Sequence, residues 1–418
     1  MPITNVSKYS KENNGKLSDL ITLGRWKNGI VNITDKYNVP EDALLDALNV
    51  NFTNTGSVSR RDGYKLFLAG NVHSMFEFKD TLYYVKNTDL CKMNSLGTET
   101  VLRPNYTTEK VFYVSVGNEI YLSTQDKTNR INSFGNLDYW GVNSPKSECE
   151  VLIGQAGSGS LKKGIYRVNY SYMVGNYESS VYPLDTVFEV PYDNFKVDLS
   201  CIPTSQSTSA MFYISTMNGE NIYACGTGYE VEVSIGINSG KLPKMYGDSI
   251  PSWKELCFAN GRIWGVKGKY VYFSMDRDYR QYNPALNISI DGTDINLFKA
   301  VDNGCYVITD LGTYFLACKN PEDTANMELI KLNNDKVIKG TLFTDNKVVG
   351  WLSTNGYMVA DQAGKVENRS KERIDLSKNY SSGSSIMIEK NGIRQVIFSL
   401  DKDGEKTIYQ SYEKTNDL

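Results

Sequence analysis

The chain has 418 residues, of which 40% are apolar and 12% aromatic, including 29 Tyr and 15 Phe. This composition excludes intrinsic disorder and suits half-buried β-strands, in which an aromatic ring packs while a hydroxyl group stays in water. The formal charge is −3, from 45 basic and 48 acidic residues, so there is no basic excess that could neutralise a nucleic-acid backbone over a broad surface.

Residues 1–56 are predicted to form an N-terminal arm followed by a short helix. The arm is polar and glycine-rich, and it carries the neighbouring pair Arg25 and Trp26. Pro40 then precedes residues 41–48, which place acidic side chains near the start of an apolar run. A proline in the first turn and acids at the positive end of the helix dipole predict about two helical turns here.

Two stretches, 57–146 and 251–418, are predicted to form a β-propeller of about six blades. Both contain strands rich in aromatic and β-branched residues, separated by short turns. Asn-Gly pairs, the strongest short hairpin signal, mark one turn in each of four late units, at Asn260, Asn303, Asn355 and Asn391. These units begin about forty residues apart, which is the period of propeller blades. A strand within residues 57–68 is expected to pair with the last unit and to close the ring.

The stretch 147–250 differs in the spacing of its predicted strands and turns. It is predicted to be an inserted β-sandwich of the immunoglobulin or fibronectin-III type. After a glycine-rich run at 154–160, apolar and polar residues alternate along 164–174, so one face of this strand is expected to be buried. Some seven short strands in about one hundred residues are typical of such a sandwich.

The sequence predicts no catalytic site, no cofactor site and no metal site. The seven cysteines are widely spaced, odd in number and never form a C-x-x-C pair. We expect reduced thiols, and three disulfides with one cysteine left over are the alternative. A histidine-based catalytic arrangement or a zinc site would have to use His73, the single histidine, which we interpret as structural.

Residues 1–14 lack the apolar stretch of a secretion signal, and the sequence nowhere approaches the ~20 apolar residues that a membrane helix needs. We therefore expect synthesis in a cytoplasm and no membrane span.

Three motifs have a partial likeness to ligand-binding or catalytic motifs. The run 154–160 leads into a strand, whereas a phosphate-binding loop leads into a helix, so we interpret it as a linker. Residues 291–296 start like a calcium loop but lack its glycine at the sixth position, which favours a turn between blades. Residues 289–292 match the aspartate box of sialidases only in part. A glycan-binding or glycan-cleaving propeller, such as a receptor-binding protein, is therefore the alternative function.

Candidate contacts to other subunits or neighbouring proteins are cations beside large aromatic side chains, a composition favoured at protein interfaces. The candidates are Arg25, Trp26, Arg60, Arg61 and Tyr64. Arg262 and Trp264 share this composition, and an ordinary strand edge is the alternative interpretation for them.

Segments 29–32, 39–50 and 56–64 are similar to the opening of tail hub and nozzle proteins of short-tailed bacteriophages, also described as head-completion or stabilisation proteins. In this family a proline-led turn precedes Arg-Arg-x-Gly-Tyr, which here is residues 60–64. Residues 259–274, followed by Tyr-Asn-Pro at 282–284, resemble a propeller strand pair and turn of the same family. The likeness covers the N-terminal part and the centre of the chain.

The resemblance implies a structural virion protein of the phage tail, not an enzyme, made in the host cytoplasm. Its copies are expected to form a hexameric ring. This ring would extend the portal channel, help retain packaged DNA and give a passage for its ejection. Its implied partners are the portal or adaptor and other tail proteins, with double-stranded DNA passing transiently. The near-neutral charge suits a channel that should not grip the phosphate backbone.

Overall fold

The computed structural model describes fifteen stretches of the chain. They are residues 29–31, 38–40, 42–44, 50–52, 58–60, 66–175, 177–233, 240–244, 247–290, 292–323, 326–345, 348–370, 376, 380–390 and 393–402. Within them the structure is all-β, with 36 strands and no α-helix. The chain forms two compact units. The terminal unit comprises Met1–Ala69, Ile295–Cys318 and Asn326–Leu418, and the central unit comprises Gly70–Asp294 and Lys319–Ala325.

The predicted helix at 41–48 is wrong at its described residues. Ala43–Leu44 (β2) is a strand that pairs in parallel with Gly29–Ile30 (β1), and the amide of Val31 donates to the carbonyl of Leu44 at 2.8 Å. A helix of about two turns is too short to be stable alone. The distant strand β1 offers the same backbone groups a hydrogen-bonded ladder instead, and sequence-local signals do not report it.

Val50–Phe52 (β3) and Val58–Arg60 (β4) form a two-stranded antiparallel sheet in the terminal unit. Among the described residues of 57–68, β4 pairs with β3, and residues 66–68 lie outside regular structure. The pairing expected between this stretch and the last unit stays a prediction.

The central unit begins with two four-stranded antiparallel sheets, each with its strands in chain order. The first contains Val72–Phe78 (β5), Thr81–Lys86 (β6), Asp89–Asn94 (β7) and Glu99–Arg103 (β8). The second contains Phe112–Val116 (β9), Glu119–Ser123 (β10), Thr128–Ile131 (β11) and Leu137–Tyr139 (β12). One apolar cluster spans the two sheets and includes Val85, Leu90, Ile120 and Leu122.

Next in the central unit is a two-sheet sandwich. Its strands are Glu150–Ile153 (β13), Gly164–Val174 (β14), Tyr177–Glu178 (β15), Thr186–Val190 (β16), Val197–Ser200 (β17), Ser209–Ser215 (β18), Ile222–Gly228 (β19) and Glu230–Val233 (β20). One sheet has the order β13-β17-β20, and the other has the order β15-β14-β18-β19, with β16 also paired to β14. Tyr166, Val168, Tyr170 and Tyr172 lie in the shared core, as the alternation predicted.

The third sheet of the central unit follows the sandwich. Its strands are Asp248–Ser249 (β21), Lys254–Ala259 (β22), Arg262–Lys267 (β23), Tyr270–Met275 (β24), Asp278–Tyr282 (β25) and Ile288–Ser289 (β26). The order is β21-β25-β24-β23-β22, with β26 also paired to β24. Trp253 and Ile263 lie in an apolar cluster that also contains Tyr121 and Trp140.

The terminal unit continues with two more four-stranded sheets and a hairpin. The strands are Ile295–Val301 (β27), Gly304–Thr309 (β28), Gly312–Ala317 (β29), Glu328–Asn333 (β30), Phe343–Asp345 (β31), Val348–Ser353 (β32), Gly356–Ala360 (β33), Val366–Asn368 (β34), Tyr380–Lys390 (β35) and Ile393–Lys402 (β36). The sheets are β27–β30, β31–β34 and β35–β36. Tyr306, Phe315 and Trp351 lie in one apolar cluster here.

The predicted fold class is confirmed: the chain is all-β, with successive antiparallel sheets of the propeller type interrupted after the second sheet by a sandwich. Six such sheets are present, five with at least four strands and the last with two described strands. All seven cysteines lie in the described stretches as thiols. The predicted domain boundaries at 56, 146 and 250 stay predictions.

Candidate interaction site

Arg60 is the one predicted contact residue that lies within the described stretches. It ends β4, opposite Val50, and its side chain is exposed. Leu66 and Phe67, a few positions further along the chain, are 78% and 75% exposed. We refer to the described residues Arg60, Leu66 and Phe67 together as the Arg60–Phe67 segment. The remaining predicted contacts lie outside the described residues, namely Arg25, Trp26, Arg61 and Tyr64.

Exposed Leu66 and Phe67 are the unusual feature of the Arg60–Phe67 segment. Leu and Phe are among the side chains most often buried in folded proteins. Two of them in succession, six and seven positions after an exposed arginine in the sequence, have the composition of a protein contact surface. Neither residue was among the predicted contacts, because a strand was expected within 57–68. Their position two and three residues after Arg-Arg-Asp-Gly-Tyr is the signal that could have found them.

Arg262 and Trp264, the other candidate cation–aromatic pair, point into the central unit. Arg262 is 6% exposed. Its guanidinium donates to the carbonyl of Ser274 at 2.8 Å and to Oε1 of Glu322 at 2.7 Å. Trp264 is buried, and its Nε1 donates to a backbone carbonyl in the preceding strand β22 at 3.1 Å. Both residues therefore stabilise the third sheet and are not interface anchors.

His73 occupies a structural position, as predicted. Its Nδ1 lies 2.8 Å from Oγ of Ser74, and that oxygen accepts a hydrogen bond from the amide of Val111 at 2.9 Å. Burial lowers the pKa of His73, and the charge of Glu109 opposes this shift. Ser74 thus links β5 to the residue before β9, and His73 hydrogen-bonds to this serine.

The glycine-rich run 154–160 has its amides in use. The amides of Gly157 and Gly159 both donate to the carbonyl of Asn194, at 2.8 and 3.2 Å. Leu161 then pairs with Phe195 in an isolated bridge, and the chain continues into strand β14. The linker interpretation is wrong in its position, because the run joins β13 to β14, which are both strands of the sandwich, and is therefore a loop within it. The loop leads into a strand, whereas a phosphate-binding loop presents its amides at a helix start.

A charged and aromatic network joins the sandwich to the second and third sheets of the central unit. The guanidinium of Arg280 lies 4.0 Å from the ring centre of Tyr177 and 3.5 Å from Oε1 of Glu119. The hydroxyl of Tyr177 donates to Oδ1 of Asp278, whose other oxygen lies 3.4 Å from Nζ of Lys244. This network fixes the inserted domain on its neighbours, and its partners are too far apart in sequence for any local pattern to reveal.

Within the described stretches, no three His, Cys, Asp or Glu side chains lie close enough together to hold a metal ion. The same stretches contain no helix that is long and apolar enough to cross a membrane.

Comparison with known proteins gives weak structural likenesses only. No protein-family model matches the chain, and no curated protein matches it in sequence. Apo AztD from Citrobacter koseri is similar at 10% identity and a TM-score of 0.30, over 77% of this chain and 78% of that one. PorZ, described as a surface component of the type-IX secretion system of Porphyromonas gingivalis, is similar at 10% identity and a TM-score of 0.22, over 81% of this chain and 52% of that one. Likeness at this level identifies neither an activity nor a partner.

Proposed function

We propose that this chain is a structural subunit of a short-tailed phage tail, in which identical copies form a hub or nozzle ring below the portal. The ring extends the portal channel, helps to retain packaged DNA and gives a passage for its ejection. The portal or adaptor and other tail proteins are its neighbours, and double-stranded DNA is a transient passenger.

The fold context of the family-like segments supports this proposal. Residues 259–274 form the Asn260–Gly261 turn followed by strands β23 and β24, so the segment similar to a propeller strand pair has that structure. Tyr282 ends β25, and the next residue, Asn283, accepts a hydrogen bond from the amide of Leu286 at 3.0 Å in a turn. The Tyr-Asn-Pro motif therefore follows a propeller-type strand, as it does in the family.

The observation that carries the proposal is the exposure of Arg60, the first residue of the family-like motif 60–64, and of Leu66 and Phe67 shortly after it. Every subunit of a closed ring must present surfaces to two neighbours. A guanidinium group with two large apolar side chains can fill a pocket on a neighbour and pair with its carboxylates or carbonyls. The Arg60–Phe67 segment is the described part of the terminal unit that best fits this role.

Substitution of the exposed apolar side chains tests the proposal. Leu66→Asp and Phe67→Asp each place a carboxylate where a ring would bury an apolar group, so we expect loss of closed rings in electron micrographs of the purified protein. Incorporation into virions should fall in parallel. The melting temperature should stay close to that of the unmodified chain, because both side chains are exposed in the single subunit.

Leu96→Asp is the matched control, because Leu96 is 88% exposed in the turn between β7 and β8 and lies outside the Arg60–Phe67 segment. This variant should still assemble. The proposal would be contradicted if the unmodified chain stayed monomeric at every concentration and never entered particles. If both aspartate variants still form rings, the Arg60–Phe67 segment is not part of the contact between subunits.

A further inference from the structure

A polar groove of about 460 Å³ lies between the first two sheets of the central unit, β5–β8 and β9–β12. It is lined by the turns β5–β6, β9–β10 and β11–β12 together with side chains of β7 and β8. Its volume falls within the range of ligand clefts in proteins, about 300–1,000 Å³. The ring role proposed above makes no use of this groove.

Two lysines give the groove a positive charge. Nζ of Lys79 donates to Oδ1 of Asn118 at 2.5 Å, and Nζ of Lys92 donates to the carbonyl of Gly135 at 3.2 Å. An ammonium group carries three protons, so each lysine can direct further donors into the groove. The described lining contains no Asp or Glu, so an anionic group entering the groove meets no like charge there.

The uncharged part of the lining contains hydroxyl and amide groups. Thr98 and Thr100 carry hydroxyls, which both donate and accept hydrogen bonds. Asn94 and Asn118 add amide donors, since their side-chain carbonyls already accept from backbone amides and from Lys79. Such mixed donors and acceptors match the hydroxyl groups of a sugar, each of which also does both. A phosphodiester, by contrast, only accepts, and two lysines are too few to follow the backbone of a nucleic acid.

An aromatic ring at the edge of the groove completes the pattern. Phe134 is 86% exposed, yet its backbone is held in place. The side-chain carbonyl of Asn132 accepts the amides of Phe134 at 3.0 Å and of Asn136 at 3.1 Å, and its Nδ2 donates to Asp138 at 2.8 Å. A ring presented on a fixed backbone offers a stacking face at a low cost in conformational entropy.

We propose that this groove binds a carboxylate-bearing saccharide, such as a uronic or sialic acid unit. Lys79 and Lys92 pair with the carboxylate, the Asn and Thr side chains bond the sugar hydroxyls, and Phe134 stacks on the apolar face of the pyranose. The proposal is independent of ring assembly, since the groove lies within the central unit and the Arg60–Phe67 segment belongs to the terminal unit.

Calorimetric titration of the full chain with trigalacturonate and with sialyllactose tests this inference, each beside its methyl ester. We expect at least one acid to bind. The affinity for its uncharged ester should be lower by a factor of about ten or more. Phe134→Ala and Lys79→Met should each weaken binding about tenfold, the amount that a stacking or charged contact of about 1.4 kcal/mol gives. Lys163→Met, which removes an exposed lysine of the sandwich, is the matched control and should bind normally.

Three results would overturn the assignment. They are silence of both acids at millimolar concentration, equal affinity for acid and ester, and binding that neither Phe134→Ala nor Lys79→Met weakens. A single-stranded DNA oligomer serves as the competing probe. If it binds and Phe134→Ala abolishes its binding while the saccharides stay silent, the groove is a nucleic-acid site. Because ring formation is scored separately by microscopy, failure here leaves the tail proposal standing.

Discussion

Glu178 shows how the sandwich accommodates a buried carboxylate. It is 5% exposed and accepts hydrogen bonds from Oγ of Ser171 at 2.6 Å, from Nζ of Lys241 at 2.7 Å and from the hydroxyl of Tyr213. Burial on its own raises the pKa of this carboxyl group. The bonds from Lys241, Ser171 and Tyr213 outweigh burial, so the pKa of Glu178 lies below its ordinary value of 4.5.

Glu178→Gln should therefore destabilise the protein at neutral pH. Because the folded pKa is lowered, the stabilising contribution is present above pH 4.5 and is lost as pH falls through the folded pKa. We expect a loss of about 1–3 kcal/mol in the free energy of unfolding at pH 7, shrinking below pH 4.5. Urea unfolding across this pH range measures the difference. Glu232→Gln, at the exposed pair with Lys196, should cost less than about 1 kcal/mol, and equal effects of the two variants would contradict the assignment.

The cysteines of the sandwich illustrate a second effect of burial on a single residue. Burial raises the pKa of Cys201 from 9.0 to about 11 and that of Cys149 to about 12. The reactive species is the thiolate, and two units of pKa correspond to about 100-fold less of it. Iodoacetamide at pH 8 should thus alkylate Cys201 about 100-fold more slowly than a free cysteine, as followed by mass spectrometry. Rapid labelling of the folded chain would show that the thiol is not shielded.

At the scale of elements, an edge strand in each of three sheets carries a bulge. The register shifts in β5 between His73 and Phe76, in β22 between Lys254 and Cys257, and in β27 between Ile295 and Leu297. In the first two, a non-glycine residue takes a positive φ, 54° at Ser74 and 51° at Glu255. A bulge re-aims a side chain, and at Glu255 it turns a carboxyl group into a largely buried position.

Glu255→Gln should have the opposite effect to Glu178→Gln. Burial raises the pKa of Glu255, and Lys110, 3.7 Å away, offsets this shift only in part. A carboxyl whose folded pKa lies above its unfolded value destabilises the fold increasingly as pH rises from 4.5 through the folded pKa. The amide should therefore raise the stability at pH 8 by about 1 kcal/mol, with no gain at pH 4. A variant less stable than the unmodified chain at pH 8 would contradict this sign.

The hairpins were predictable because their signals are local. Asn260 and Gly261 have φ values of 50° and 71°, the two positive values that a type I′ turn needs. Lys79 and Asp80 adopt the same geometry, at 50° and 56°, without a glycine. At Asn303 and Asn355 the following glycine is instead a paired strand residue, opposite Val301 and Ser353, so an Asn-Gly pair marks a hairpin without fixing the type of its turn. The strand Ala43–Leu44 was not predictable, because its partner lies more than ten residues away and no periodicity of two residues can reveal it.

At the scale of the whole molecule, the candidate sites also divide into those with a local sequence signal and those without one. Arg60 was a candidate because it belongs to a motif. The residues next to Arg262 in the sequence did not show whether its side chain points inward or outward. The network of Arg280, Tyr177 and Glu119 and the groove beside Phe134 depend on which sheets lie side by side. Packing of that kind places residues together from opposite ends of a hundred-residue stretch, and only the folded chain reveals it.

The charge balance of the chain gives a prediction for the assembled protein. With a formal charge of −3 per copy, the ring proposed above should bind a DNA duplex no more tightly than about 10⁻⁴ M at physiological salt, the weak end of non-specific binding. Fluorescence anisotropy of a labelled duplex measures this affinity. Asp80→Lys combined with Glu109→Lys changes the charge from −3 to +1, since each substitution adds two positive charges, and should bind the duplex measurably more tightly. Micromolar affinity of the unmodified protein with a steep dependence on salt would mean that the lumen grips DNA, contrary to a channel built for rapid ejection.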